Sequence, residues 1–149
     1  MSEAISYPIL TAVSMLGGNQ VLQDKPRTAL DWVAVIRQGI PAASIDSIAK
    51  TIRVTKTELA VALGIPERTL ARRKKEGLLT SDESAKLIRL ARVVERAEEV
   101  FEDMPATIDW LKSPNAALAG ETPLSLLDTD IGAESVLDTL GRIAHGVFA

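Results

Sequence analysis

The chain has 149 residues, 46% hydrophobic but only 3% aromatic, with no cysteine and a net charge of −3. That length holds one compact domain or two small helical ones, and an aliphatic composition rich in Ala and Leu favours packed helices over sandwiches. Disulfides and thiolate metal sites are excluded, no stretch reaches the ~18 apolar residues of a membrane span, and Met1–Gln20 has neither the basic start nor the apolar run of a signal peptide, so a soluble cytoplasmic protein is expected.

Residues 1–24 read as a weakly structured lead, punctuated by Tyr7-Pro8 and Gly17-Gly18-Asn19. Asp24 and Pro26 mark a helix start. Arg27 to Gln38 then places Leu30, Val33, Ala34 and Ile36 at helical spacing, and Gly39-Ile40-Pro41 stops it. Ser44 opens a second helix to about Val54, with Ile45, Ile48, Ala49 and Ile52 on one face. Thr55 stands three residues before Glu58, the spacing of a capping box, so a helix runs from Lys56 to Leu63 and ends at Gly64. Ile65-Pro66 begins another, with Pro66 near its first turn, that ends at Gly77. Thr80 and Glu83 form a second box, opening the longest helix, to about Phe101. Met104–Leu111, Thr122–Leu127 and Asp130–Arg142 are the remaining helical segments, with Pro114-Asn115 a turn. The predicted class is all-α: a lead over 1–25, a DNA-binding part over 26–80 and a C-terminal part over 81–149, although the long helix can belong to both parts.

Charge is unevenly spread. Residues 1–55 carry +1, residues 56–80 carry +3, and residues 81–149 carry −7. The mean charge conceals a basic centre, the footprint expected of a nucleic-acid contact. Residues 56–75 have the layout of a helix-turn-helix. Ala60 is small where two helices must cross, Gly64 tolerates the positive φ of a tight turn, and Leu70 faces back onto Leu59, Leu63 and Ile65. The second helix carries Arg68, Thr69, Arg72, Arg73, Lys74 and Lys75. In this motif the second helix enters the major groove. Arg68, Thr69 and Arg72 are assigned to base edges or nearby phosphates, and Arg73, Lys74 and Lys75 to the backbone. A solvated face that complements the helix C-terminus is the plainer alternative for such a basic run.

The C-terminal part contains Ser84 to Phe101, then Trp110-Leu-Lys-Ser-Pro-Asn115, Ala117 to Gly120, Thr122 to Leu127, and Gly141 to Ala149. This succession, with the helix-turn-helix before it, closely resembles the Xre/MbcA/ParS-type antitoxins over nearly all of residues 50–149. The resemblance implies a type II toxin–antitoxin system. The implied partner is a RES-type toxin that degrades NAD⁺, bound and covered by this chain. It also implies dimerisation and repression of the chain's own operon through operator DNA. The tail residues Arg142, His145, Gly146, Val147, Phe148 and Ala149 would then enter the toxin's substrate cleft. The alternative is that Val147 and Phe148 fold back on the chain's own helices. Trp110 reads as core.

No nucleophile with a base, Gly-rich phosphate loop or ligand cluster is present, and a lone His makes no metal site, so neither enzymatic activity nor a cofactor is expected. Glu95, Glu98, Glu99, Glu102 and Asp103 read as a solvated face pairing with Arg92 and Arg96. The main rival function is a stand-alone regulator sensing a small molecule, which needs a pocket with converging polar groups. A pure interaction protein with a vestigial helix-turn-helix is a third.

Overall fold

The computed structural model describes residues 11–22 and 26–146. Their helices are α1 (Ala12–Met15), α2 (Ala29–Gln38), α3 (Ala43–Thr51), α4 (Lys56–Leu63), α5 (Glu67–Glu76), α6 (Ser81–Phe101), α7 (Met104–Lys112) and α8 (Asp130–Ala144). Short 3₁₀ turns lie at Gly18–Gln20, Ala116–Leu118 and Pro123–Leu126. The only strand-like pairing among the described residues is a bridge between Pro41 and Leu78. The all-α class is therefore as the composition indicates. No helix among the described residues is long and apolar enough to cross a membrane.

Local chemistry sets the helix starts. Thr28, Thr55 and Thr80 each accept a hydrogen bond from the backbone N–H three residues on, and Asp31, Glu58 and Glu83 accept one in return. Each cap is worth about 1 kcal/mol, which matters most for α2 and α4, whose ten and eight residues are marginal alone. Gly39, Gly64 and Gly77 end α2, α4 and α5.

The core forms around α6. Leu87, Leu90, Ala91, Val94 and Ala97 are fully buried along it, and Val93 and Ile88 widen the buried arc. A stripe that broad needs neighbours on more than one side. α1, α2 and α4 supply them from the N-terminal half, and α7 and α8 from the C-terminal half.

Five local expectations are corrected. Residues 11–22, read as a weakly structured lead, instead hold a four-residue helix whose Met15 and Leu16 are completely buried, with Leu22 also in the core. Side chains from elsewhere satisfy that helix's exposed backbone ends: Ser44 Oγ donates to the Leu16 carbonyl at 2.7 Å, Ser47 Oγ to that of Met15 at 2.8 Å, and Ala12 N–H donates to Glu95 at 3.0 Å. Asp24 lies outside the described residues, and α2 is capped by Thr28. On α2 the packed residues are Trp32, Val35 and Ile36, whereas Leu30 is 78% exposed and Val33 and Ala34 also face solvent. Ser44 does not start α3, which begins at Ala43. Its hydroxyl is buried and engaged with Leu16. The segment at Thr122 closes as a 3₁₀ turn over Pro123–Leu126, with Ser125 N–H donating to Thr122 O at 3.1 Å.

Gly39 is fixed by both conformation and space. Its φ is +92°, and a Cβ there would stand 2.5 Å from the Leu79 carbonyl oxygen. That carbonyl belongs to the tie in which Leu79 N–H donates to Ile40 O at 2.9 Å and Ala42 N–H to Gly77 O at 3.0 Å. Gly39→Ala should cost at least ~1–3 kcal/mol through backbone strain alone. Urea unfolding followed by circular dichroism measures it, and an unchanged midpoint would contradict this close approach.

Candidate nucleic-acid and partner interfaces

α4 and α5 cross as a helix-turn-helix requires. Gly64 adopts φ 67° and ψ 34° at the C-cap of α4, and Ile65 N–H donates to the Ala60 carbonyl at 3.1 Å. Leu59, Leu63, Ile65 and Leu70 are buried between them. Pro66 occupies the N-cap with φ −57°, one position earlier than a first-turn proline, and α5 starts at Glu67. Thr57 Oγ1 donates to Glu67 at 3.1 Å, linking the first turns of the two helices.

The six basic-run residues divide into three groups. Arg68, Arg72 and Lys75 are exposed and, with Ala71 between them, share one face by three- and four-residue steps. Arg72 has only a distant partner, Glu76 at 4.0 Å. Thr69 is half-buried beside this face. Lys74 pairs with Asp46 of α3 at 3.0 Å. Arg73 turns away from solvent. Its Nε donates to Glu83 at 2.7 Å and its Nη1 to Glu76 at 2.8 Å, and its side chain is 16% exposed. Arg73 is thus a brace between α5 and the capping box of α6, not a side chain offered to a phosphate.

That brace has an electrostatic signature. Burial alone raises the pKa of Glu83, but the Arg73 guanidinium and the Thr80 N–H outweigh it and hold the carboxyl below its usual 4.5. Glu58 is lowered chiefly by the Thr55 N–H, against burial, with Lys112 assisting.

Sequence spacing did not single out Lys56. It sits at the first position of α4 and borders, with Lys74 and Lys75, a concavity of about 400 Å³ between α3, α4 and α5. Its position directly after the cap residue Thr55 is the signal that would have found it. Lys112 is a second such residue. Its Nζ donates to the Arg53 carbonyl at 2.6 Å and lies 3.7 Å from Glu58. Arg53 has a positive φ of 56°. The C-terminal half therefore holds the turn that leads into the helix-turn-helix.

At the other end of the chain, Arg142, His145 and Gly146 are brought together, exposed, on the last turn of α8. His145 Nδ1 lies 2.7 Å from the Gly141 carbonyl. A carbonyl only accepts, so this hydrogen bond places the proton on Nδ1. Gly146, at φ +73°, donates its N–H to Ile143 O at 3.0 Å and ends the helix. Val147, Phe148 and Ala149 lie outside the described residues. Trp110 is half-buried, its ring centroid 5.6 Å from that of Phe101. The acidic residues on and just after α6 are more varied in role than a solvated face: Glu95 holds Ala12, Glu99 meets Arg96 at 3.3 Å, and Asp103, beyond the helix end, caps α7.

Two family models match the chain. Residues 31–92 match the antitoxin Xre-like helix-turn-helix domain, and residues 96–146 match the antitoxin Xre/MbcA/ParS C-terminal toxin-binding domain. Antitoxin Xre of Yersinia enterocolitica is 39% identical over 116 residues, covering 76% of this chain and 78% of the relative. The Prs ADP-ribosylating antitoxin of a Sphingobium species is 27% identical over 130 residues, covering 80% and 82%. A chain in the crystal structure of the M. tuberculosis MbcT-MbcA toxin–antitoxin complex superposes with a TM-score of 0.56 at 25% identity, covering 72% of this chain and 96% of that one.

The brace makes two measurable predictions. A carboxylate with a lowered pKa stabilises the fold above its unfolded value, and that stability is lost as the pH falls through the folded value. Stability should therefore decline below about pH 4.5, and Glu83→Gln should flatten the decline; acid unfolding curves of the two proteins decide it. Lys75→Ala should lower the slope of log affinity against log salt for a DNA duplex by about one, whereas Arg73→Ala should leave it unchanged. Equal slope changes for both would return Arg73 to the phosphate-contacting set.

Proposed function

The chain belongs to the Xre/MbcA/ParS family of antitoxins, and from that premise we propose that it neutralises a RES-type, NAD⁺-degrading toxin and represses its own operon. It acts in the cytoplasm, as a dimer reading two half-sites. Neutralisation is steric: the end of α8 and the residues after it enter the toxin's substrate cleft, and this chain performs no chemistry.

The observation that carries the regulatory half is the division of the cations on α5. Three of them, Arg68, Arg72 and Lys75, form one exposed row, while Arg73 and Lys74 are engaged with acids of neighbouring helices. A row of that kind, starting in the first turn of a second helix, can reach guanine edges with a bidentate arginine and phosphates with a lysine. The exposed last turn of α8, with Arg142, His145 and Gly146, supports the inhibitory half. Arg142 suits an acidic or phosphate-binding feature of a cleft.

The two roles should separate by mutation. Arg68→Ala and Arg72→Ala should each weaken binding to the DNA upstream of the chain's own gene by about tenfold or more, a bidentate contact being worth ~1–3 kcal/mol, and leave affinity for the neighbouring gene's product unchanged. Deleting residues 146–149 should do the reverse. Fluorescence anisotropy with DNA and titration calorimetry with the partner read both. A folded variant that damages both functions equally would end this division of labour.

A further inference from the structure

The turn between α3 and α4 is strained and is held from a distant part of the chain. Arg53 has φ +56°, the left-handed region that glycine enters freely and other residues enter at a cost. It stands just past the end of α3, where a helix often places glycine, and Val54 N–H closes the turn on the Ala49 carbonyl at 3.1 Å. The Arg53 carbonyl accepts from Lys112 Nζ at 2.6 Å, a charge-assisted hydrogen bond across 59 residues of chain. Lys112 is the last residue of α7, within the stretch that matches the toxin-binding domain. Its Nζ also lies 3.7 Å from Glu58 Oε1, the oxygen that accepts the Thr55 N–H at 2.8 Å. One ammonium therefore meets both the strained residue before α4 and the carboxylate that caps it.

The far end of α4 meets the same half of the chain. Gly64 closes the helix at φ +67°, and a Cβ there would stand 3.1 Å from the Cβ of Asp128. Between these two contacts Glu58 and Val61 line, with Lys112, Leu124 and Ser125, a cleft of about 260 Å³. Lys56 and Leu59 line the concavity toward α5 instead. At about 3.6 residues per turn the two pairs lie on opposite faces of α4. The C-terminal half thus grips one face of α4, and the recognition helix packs on another.

We propose that Lys112 is a positioning residue for DNA binding. Without touching DNA, it holds the α3–α4 turn in the shape that aims α4, and with it the exposed row of α5, at the duplex. The proposal rests on the DNA-binding reading above and adds a residue of the toxin-binding region to it. The Arg53 carbonyl is the contact that matters. Glu58 is the weaker partner at 3.7 Å, and open ion pairs of that kind contribute little. Lys112 faces the cleft rather than the α5 row, so its loss should lower affinity without lowering the salt dependence.

Fluorescence anisotropy of the full chain with the DNA upstream of its own gene, over a series of salt concentrations, tests this. Lys112→Met keeps the apolar stem and removes the charge. It should weaken binding by about three- to tenfold, because fewer molecules hold the turn in its binding shape, with the slope of log affinity against log salt unchanged. Lys112→Arg can still donate to the Arg53 carbonyl and should recover most of the loss. Amide hydrogen exchange followed by NMR reads the cause. In Lys112→Met the Val54 and Thr55 N–H groups should exchange faster, while those of the buried Leu90 and Ala91 keep their rates. A slope lowered by about one would put Lys112 on a phosphate and overturn the proposal. Unchanged affinity would overturn it too, as would weaker binding with Val54 and Thr55 exchange unaltered. Lost protection throughout α6 would reduce Lys112 to a general stabiliser and also overturn it. A wild-type chain that fails to bind the duplex would end the DNA-binding reading and the proposal with it, whereas a wild type that binds no better than Lys112→Met ends the proposal alone.

Discussion

Neither half of this chain can bury α6 alone. The helix has 21 residues and buries Leu87, Leu90, Ala91, Val94 and Ala97 completely, with Ile88 and Val93 extending the apolar arc. α1, α2 and α4 cover one part of that arc and α7 and α8 the rest. Everything with a function is positioned from this helix. Its capping box anchors the C-terminal end of the recognition helix through Arg73 and Glu83. Its Arg89 fixes the start of α8 through Leu127 and Asp130. The exposed basic row of α5 and the exposed end of α8 are thus two attachments to one helix.

Charge is used in two ways along this frame. Where a cation and an acid meet across elements with little solvent, as in Arg73–Glu83, the pair sets geometry, and Lys112 does the same from a more open position through the Arg53 carbonyl and Glu58. Where cations stand in a row without near acids, as on α5, they remain available to a partner. The distinction matters because an exposed ion pair contributes only ~0–1 kcal/mol. The exposed rows therefore say little about stability and much about recognition.

Local features were the legible part of the fold. The capping boxes at Thr55–Glu58 and Thr80–Glu83, the glycines that end α4 and α5, and the Ala60–Gly64–Leu70 framework depend on neighbours within a few residues, and spacing reveals them. What depends on contacts between distant segments was not legible. Arg73 resembles Arg72 until Glu83, ten residues on, draws it inward. α2 has apolar residues on two faces, Trp32, Val35 and Ile36 on one and Leu30, Val33 and Ala34 on the other, so periodicity alone did not select the packed side. α1 is too short to show a period, and the hydroxyls of Ser44 and Ser47 that hold it lie some thirty residues away. The basic row itself was visible, but which of its members point outward was a tertiary fact.

The shared helix also constrains how such proteins can be recombined. The regions matched by the two family models meet between residues 92 and 96, inside α6. A crossover there would join two incomplete apolar arcs shaped by different neighbours. A crossover at the turn before Ser81 would separate Arg73 from Glu83. Exchange of a toxin-binding domain between relatives therefore has to carry α6 whole, together with the end of α5 that it braces, and the helix-turn-helix inherits the change.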